Sequence, residues 1–243
     1  MIIEKALVVE NLKKNFGSFE AVKGISFDIE QNEIFALIGP NGAGKTTTLR
    51  MISTILDPSG GDAYINGLSI KKEPVKVRNL ISYLPEEAGA YKNLSGLGYL
   101  KFMANIFISD RERRKECIET AKELSGLKDR LKDRIGTYSK GMTRKLLLAR
   151  AIMTKPKLAI LDEPTSGLDV INALEIRRTI KQYAATGMTT LVSSHNMLEI
   201  EYLSDRVAII DKGSIHEIGT PSGLKQKYGA QNLEEVFAEV TRK

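Results

Sequence analysis

Hydrophobic and polar residues alternate in the first part of the chain. Ile25, Phe27 and Ile29 are each followed by a polar residue, which is the two-residue period of a strand with one buried face. Tyr64–Gly67 has the composition of a strand that ends in a turn. We therefore expect strands in the first thirty residues and an antiparallel arrangement of this N-terminal part.

Four later segments are short and almost entirely apolar: Glu33–Ile38, Leu158–Leu161, Thr189–Ser193 and Val207–Ile210. Such runs are typical of strands that are buried on both faces of a parallel sheet. Sequence with helical character separates each run from the next, which favours α/β winding. The predicted fold class is therefore α/β, with a mixed core sheet and an antiparallel N-terminal part.

The middle of the chain has a helical pattern. Asp110–Arg134 contains nine Lys and Arg and seven Asp and Glu residues, and Leu124, Leu127 and Leu131 recur at helical spacing. We expect this segment to be mostly helical and solvated. More broadly, residues from about 88 to 150 are predicted to form a helical subdomain inserted in the sheet.

The end of the chain predicts a further helix. Leu233, Val236, Phe237 and Val240 follow the i, i+3, i+4, i+7 spacing of one apolar helix face. We expect this amphipathic helix to dock on the body of the domain, because an apolar stripe on a helix is usually buried.

Composition narrows the class of protein. The chain has 243 residues, of which 42% are hydrophobic and 27% charged, as is usual for a globular domain. One cysteine, Cys117, and two histidines argue against a disulfide scaffold or a Cys-based zinc cluster. No segment approaches the roughly 20 apolar residues of a membrane-spanning helix, and no secretory signal is visible. We therefore expect a soluble cytoplasmic chain, whose net charge of +6 is weak evidence for an anionic partner.

A glycine-rich segment with a lysine follows the first buried strand. It matches the pattern Gly-x-x-x-x-Gly-Lys-Ser/Thr, and its residues are Gly39, Pro40, Asn41, Gly42, Ala43, Gly44, Lys45, Thr46 and Thr47. Glycines let backbone N–H groups approach a phosphate, and the predicted helix Thr47–Ile55 adds partial positive charge at its N-terminus. Lys45 is then expected to neutralise the β- and γ-phosphates, and the Thr46 hydroxyl to bind Mg. These residues predict a binding site for a nucleoside triphosphate.

Two acids end a later apolar segment. Asp162 and Glu163 would lie at the carboxyl end of a parallel strand, where α/β sheets bind ligands. Asp162 is the natural partner of Mg, directly or through water. Glu163 would point in another direction in an extended chain, so it can polarise the attacking water as the general base.

Further motifs follow in a fixed order. Tyr138–Met142 reads Tyr-Ser-Lys-Gly-Met, Pro164–Asp169 follows the acid pair, and His195 follows the predicted strand Thr189–Ser193. Together with the phosphate loop and the acid pair, this ordered set resembles the ATP-binding cassette (ABC) family, the ATPase subunits of ABC transporters. The resemblance covers residues from about 3 to 220.

The resemblance implies a composite active site. Two chains would clamp two ATP molecules head to tail, each ATP held by the phosphate loop of one chain and the signature motif of the other. Ser139 and Gly141 would contact the γ-phosphate from the opposite chain, as suits a helix N-terminus, with Asp169 in the adjoining D-loop. His195 would contact the γ-phosphate as a catalytic residue, and Phe16 would stack on the adenine. A single chain is thus expected to hydrolyse ATP poorly.

On this interpretation the whole chain, 1–243, is a single ABC nucleotide-binding domain. Residues 1–87 and 151–220 would form the catalytic core, 88–150 the helical signature subdomain and 221–243 a C-terminal helical tail. The implied partners are separate transmembrane permease subunits and a second ATPase chain, either an identical copy or a sister ABC subunit. The chain would then lie on the inner face of the cell membrane through those subunits, and no nucleic-acid partner is expected.

Two motifs differ from the usual sequence of the family. Glu86 lies in the Q-loop, where most members have glutamine. Its carboxylate can bind Mg as an amide oxygen can. The alternative is that Glu86 is an ordinary acidic loop residue. Lys140 and Met142 replace Gly and Gln of the signature, and Lys140 either adds charge near the opposite ATP or faces solvent. Both departures resemble the branch that exports drugs, antibiotics, sodium ions or polysaccharides.

A soluble family member that acts on ribosomes or in Fe–S assembly is the main alternative. The ribosome-acting kind usually carries two cassettes in one chain, whereas this chain has one. A P-loop GTPase or kinase is disfavoured because the chain has no base-selective Asn-Lys-x-Asp segment. A DNA-repair ATPase would need a long coiled-coil insertion, for which 243 residues leave no room.

Overall fold

An antiparallel sheet is built from the N-terminal part of the chain. The computed structural model of the protein describes residues 5–242, so the first four residues of the predicted strand region and the last residue of the predicted tail lie outside it. The sheet has the order β2-β1-β4-β5, with β1 at Lys5–Phe16, β2 at Phe19–Glu30, β4 at Gly60–Ile65 and β5 at Leu68–Ser69. All its pairs are antiparallel, as predicted.

A second sheet has six strands in the order β10-β9-β3-β8-β7-β6. Its strands are β3 at Ile34–Ile38, β6 at Ile81–Leu84, β7 at Leu158–Asp162, β8 at Thr189–Ser194, β9 at Arg206–Asp211 and β10 at Ser214–Gly219. Five of them are parallel, and β10 pairs antiparallel with β9. The four apolar segments therefore form neighbouring strands of a mixed sheet, which confirms the predicted fold class.

Helices flank the six-stranded sheet and connect its strands. They are α1 at Lys45–Ile52, α2 at Pro74–Arg78, α3 at Gly96–Phe107, α4 at Arg111–Ser125, α5 at Lys140–Ile152, α6 at Val170–Ala184, α7 at Met197–Leu203, α8 at Pro221–Tyr228 and α9 at Leu233–Thr241. Two short 3-10 turns at Lys128–Lys132 and Ile135–Thr137 connect α4 to α5. In the part of the chain that the structure covers, no helix combines the length and the apolar character needed to cross a bilayer.

The predicted bounds of one helix are wrong. The helix after the phosphate loop begins at Lys45 rather than Thr47, because Gly44 takes the left-handed conformation at its N-cap with φ 105°. It ends at Ile52 because Thr54 also has a positive φ, of 59°. The charged segment 110–134 is mostly helical, as predicted: α4 ends at Ser125, where Gly126 has φ 60°, and a 3-10 turn follows at Lys128–Lys132.

Two hydrophobic cores lie on the two faces of the six-stranded sheet. One packs this sheet against the antiparallel sheet, and the other packs it against the helices. The last helix, α9, buries Leu233, Val236 and Val240 in the second core, with Phe237 partly buried beside them. The prediction that this helix docks on the body of the domain is confirmed.

Candidate active site

The phosphate loop connects β3 to α1. Gly44 has φ 105°, and a Cβ at this position would lie 2.7 Å from the carbonyl oxygen of Ala21, so only glycine fits the turn. The first N–H groups of α1 have no partner within the helix and lie at its positive end. The loop therefore presents backbone donors and a helix N-terminus at the carboxyl end of a buried strand, which suits an anion.

Lys45 is the buried cation of this loop. Its ammonium donates to the carbonyl oxygens of Gly39 at 2.7 Å and Pro40 at 3.1 Å. The same nitrogen lies 3.4 Å from Oε1 of Glu163, and the two side chains are only 6% and 5% exposed. The cation and the carboxylate that the sequence assigned to one site are therefore in contact, although they are far apart in the chain.

Asp162 is the acceptor at the end of β7. Its Oδ1 accepts from the hydroxyls of Thr46 at 3.2 Å and Ser193 at 2.5 Å. Its Oδ2 accepts from the Tyr83 hydroxyl at 3.2 Å. Burial, together with the Asp162 carboxylate, raises the pKa of Tyr83 to about 12, so the phenol stays a neutral donor. The structure thus brings Thr46 and Asp162 together as predicted, and adds Ser193 and Tyr83.

Glu163 does not continue the strand. The sequence interpretation assumed an extended chain at this residue, but Glu163 has φ 45°, in the left-handed region. Its N–H donates to the carbonyl oxygen and hydroxyl of Ser193, at 3.2 and 3.1 Å, which holds this turn. A non-glycine residue in this region costs on the order of 1–3 kcal/mol, and such strain is concentrated at functional sites.

The Glu163 carboxylate joins two other candidate catalytic residues. Its Oε2 lies 2.9 Å from Nδ1 of His195, and its Oε1 faces the Lys45 ammonium. The His195 side chain is 45% exposed, whereas that of Glu163 is 5% exposed. A buried carboxylate is therefore held between a buried cation and an imidazole that is open to solvent.

An open cleft of about 260 Å³ lies over the phosphate loop. Its lining residues are Phe16, Phe19, Ala21, Asn41, Gly42, Gly44, Lys45, Thr46, Thr47, Glu86 and Glu163. Phe16 and Phe19 flank the tight turn between β1 and β2, and both rings are at least half exposed. Glu86 lines the same cleft, and its Oε1 accepts from the Ser166 hydroxyl at 3.0 Å. The sequence analysis predicted a binding role for Phe16 but not for Phe19, because no sequence motif marks the turn that brings both rings to the cleft.

The predicted signature residues lie away from this cleft. Ser139 caps α5 by accepting from the Met142 N–H at 3.2 Å, and Asp169 caps α6 by accepting from the Asn172 N–H at 3.0 Å. The backbone of Gly141 packs directly against the Asn172 side chain, so the two helix N-termini are adjacent. Ser139, Gly141 and Asp169 therefore form one cluster, and none of them lines the cleft over the phosphate loop.

Lys140 bends back onto its own chain. It is exposed, and its ammonium lies over Gly167, where any Cβ would overlap it. The lysine that departs from the family signature therefore lies against Gly167, in the loop at 164–169 of the same molecule.

Comparison with protein-family models decides the family. A model described as ABC transporter matches residues 22–166, which is more than half of the chain and includes the phosphate loop, the signature and the acid pair. The chain belongs to the ABC transporter family. As an ABC ATPase it binds and hydrolyses ATP, and its cleft is the place where the family's phosphate-loop motif lies.

Curated relatives of this ABC ATPase are ATP-binding proteins of transporters. The linearmycin resistance ATP-binding protein LnrL of Bacillus subtilis is 40% identical over 228 residues, which are 93% of this chain and 73% of LnrL. The ABC transporter ATP-binding protein NatA of the same organism is 34% identical over 219 residues, 90% of this chain and 89% of NatA.

Solved structures share the fold. An ATP-binding subunit of an ABC transporter has a TM-score of 0.86 and 27% identity, and the match covers 97% of this chain and 99% of that chain. An ATP-binding cassette in a dimeric post-hydrolysis state, bound to ADP and Pi, has a TM-score of 0.78 at 21% identity, with 88% and 98% covered. The second likeness is of the fold alone.

Proposed function

We propose that this ABC ATPase drives export through separate membrane subunits and works as a head-to-tail pair. The observation that carries the proposal is the division of the motifs into two places. Lys45 and Glu163 line the cleft and His195 contacts Glu163, whereas Ser139 and Asp169 cluster away from it. A second chain, identical or a sister ABC subunit, then supplies the signature cluster to complete each ATP site.

The contacts at the cleft support a role for each residue. Lys45 exchanges the Gly39 and Pro40 carbonyls for phosphate oxygens, because a cation binds the charged oxygens more strongly. Glu163 accepts the proton of the attacking water as general base, and His195 orients its carboxylate through Oε2 and contacts the γ-phosphate. Phe16, at the rim of the cleft, stacks on the adenine.

The donor set near Thr46 fits Mg. Thr46, Asp162 and Glu86 offer oxygen atoms only, which is what this hard cation prefers. Within residues 5–242 no group of three or more His, Cys, Asp or Glu side chains could hold a metal unaided. We therefore propose that Thr46 and Asp162, with Glu86 beside them, hold Mg together with the phosphates of ATP. When bound, the ion neutralises charge on the phosphates.

The subdomain assignment follows the same division. We propose that 1–87 and 151–220 act as the catalytic core, that 88–150 carries the signature, and that 221–243 is a supporting tail. In support, α3, α4 and all but the last two residues of α5 lie in the middle segment, and the strands of both sheets lie in the core segments.

Mixed dimers test the donation of the signature by the opposite chain. We expect Lys45→Ala and Ser139→Arg proteins to be inactive separately. Mixed in equal amounts they should recover about one quarter of wild-type ATPase activity, because half of the dimers are mixed and each has one intact site. The measurement is phosphate release from defined mixtures, with the double variant mixed with itself as the control. Full activity of the Ser139→Arg protein alone would contradict the proposal.

An exposed apolar patch supports a protein partner. Tyr91, Phe102, Ile106 and Phe107 lie on or beside α3, and each is between 42% and 59% exposed. The Tyr91 and Phe102 rings meet edge to face at 5.6 Å. A cluster of large apolar side chains on a surface marks an interaction site. We propose that the patch, defined by these four residues, binds the membrane subunit and places the chain on the inner face of the membrane.

Charge substitution in the patch tests this partner. We expect Ile106→Glu/Phe107→Glu protein to keep its ATPase activity and to lose co-sedimentation with membranes that contain polytopic subunits encoded beside it. The matched control is Val75→Glu, which alters an exposed apolar residue on α2. Unchanged sedimentation of the double variant would contradict the patch. Co-purification with ribosomes or Fe–S assembly proteins instead would favour the soluble alternative.

Export is the finer part of the proposal. The relative LnrL is named for linearmycin resistance, and YbhF of Escherichia coli, 33% identical over 222 residues, for a probable multidrug transporter. This chain covers 38% of YbhF. A toxic compound such as an antibiotic or drug is accordingly the substrate class to test first, by its accumulation in cells with and without the chain.

A further inference from the structure

Arg144 is the buried arginine of α5, five residues beyond Ser139. Its side chain is folded into the protein, with 7% of the residue exposed. A guanidinium has five N–H groups, and in Arg144 every one of them donates to a backbone carbonyl. Nε donates to Pro164 O at 2.8 Å, Nη1 to Pro85 O and Glu86 O at 3.0 Å each, and Nη2 to Asp162 O at 3.0 Å and Glu163 O at 2.7 Å.

The five carbonyls belong to two loops that carry the candidate chemistry. One loop follows β6 and includes Glu86, and the other segment is the end of β7 at Asp162 with the turn that begins at Glu163. Arg144 is 58 residues from Glu86 and 18 residues from Asp162 in the chain. Because Arg144 binds main-chain atoms, it fixes the backbone positions from which the side chains of both segments extend.

Burial of this charge is balanced by its surroundings. Burial lowers the pKa of the Arg144 guanidinium, and the carboxylates of Asp162, Glu86 and Glu163 oppose that shift. Arginine remains protonated, so all five donors persist at neutral pH. Loss of the guanidinium would leave buried carbonyls without a donor, which is unfavourable in the folded state.

We propose that Arg144 is a positioning residue for ATP hydrolysis, which holds the Glu86 loop and the Asp162–Glu163 turn in fixed relation to the signature helix. The inference rests on the proposed roles of Glu163 and of Mg. Arg144 does not line the cleft, so it acts through the residues that it holds rather than on the nucleotide. It also joins, within one chain, the residues that act on its own ATP and the helix α5, which Ser139 caps and which faces the ATP of the opposite chain.

Substitution of Arg144 should separate chemistry from binding. Lysine keeps the charge but has three N–H groups on one atom, so it cannot span the five carbonyls. We expect Arg144→Lys and Arg144→Gln to lower kcat roughly 10²-fold, as misplacement of a catalytic group by about 1 Å does. The dissociation constant of a fluorescent ATP analogue, measured by titration, should stay within about threefold of wild type, since nucleotide contacts are retained.

Arg206→Lys is the matched control. Arg206 is a half-buried arginine, and it pairs with Asp28 and Glu33 away from the cleft. Its variant should lose thermal stability without loss of kcat. Two results would overturn the inference: a folded Arg144→Lys protein with wild-type kcat, or loss of kcat and nucleotide affinity in step with a fall in Tm. Wild-type protein without ATPase activity would overturn the proposed function as well, so the two failures are distinguishable.

Discussion

Glu163→Gln is expected to bind ATP and to hydrolyse it about 10²–10⁴-fold more slowly than wild type, as follows from removal of a general base. Glutamine keeps the size of the side chain and can still contact His195, whereas it cannot accept the proton of water. The substitution removes the negative charge that faces the Lys45 ammonium, which leaves that ammonium more available to phosphate. Bound ATP should therefore persist and hold two chains together.

Two measurements check this variant. Single-turnover phosphate release gives the rate of the chemical step, and size-exclusion chromatography with ATP gives the oligomeric state. Glu33→Gln is the control, because Glu33 is also a buried glutamate but lies before β3, at the other end of that strand from the phosphate loop. A Glu163→Gln protein with wild-type turnover would refute the assignment of the base, and one that stays monomeric with ATP would refute the clamp.

Lys45→Ala should lose most of the affinity for ATP. The side chain is nearly buried and its ammonium is the cation of the phosphate loop. Removing one partner of a buried hydrogen-bonded charge pair costs about 2–5 kcal/mol, so the dissociation constant should rise by at least about 30-fold. The loss of this charge also leaves Glu163 with fewer partners on its Oε1 side.

Isothermal titration with ATP measures this affinity directly. Lys132→Ala is the control for the loss of one positive charge, because Lys132 is exposed and pairs with Asp129 in the connection from α4 to α5. Wild-type affinity in Lys45→Ala would exclude the phosphate-loop assignment. Equal loss in the two variants would instead indicate that net charge governs nucleotide binding.

The contiguous motifs were predictable because their chemistry is local in the chain. The order strand, glycine-rich loop, lysine and helix at 34–52 is set by residues that are neighbours in sequence. The apolar runs identified the central strands for the same reason. Even so, the predicted start of α1 lies two residues after the observed start. The helix begins at Lys45 because Gly44 adopts the left-handed conformation at its cap, and the sequence pattern does not specify that conformation.

Contacts between distant segments could not be predicted in the same way. The turn at Glu163 departs from extended backbone because Ser193, thirty residues away, accepts and holds its N–H. Arg144 left no sequence signal, because its five acceptors are carbonyl oxygens that every residue possesses. Phe19 was missed because proximity across a hairpin, rather than a motif, brings it to the cleft.

Arg144 binds backbone carbonyl oxygens, so the side chains of the residues that it holds can vary. A carbonyl oxygen remains when the side chain of its residue is exchanged, so the frame around Arg144 is independent of the identity of residue 86. Carboxylate and amide can therefore alternate at Glu86 on an unchanged scaffold. An exchange at residue 86, which we propose lies beside Mg, can therefore change the chemistry of the site while the backbone of its loop stays in place.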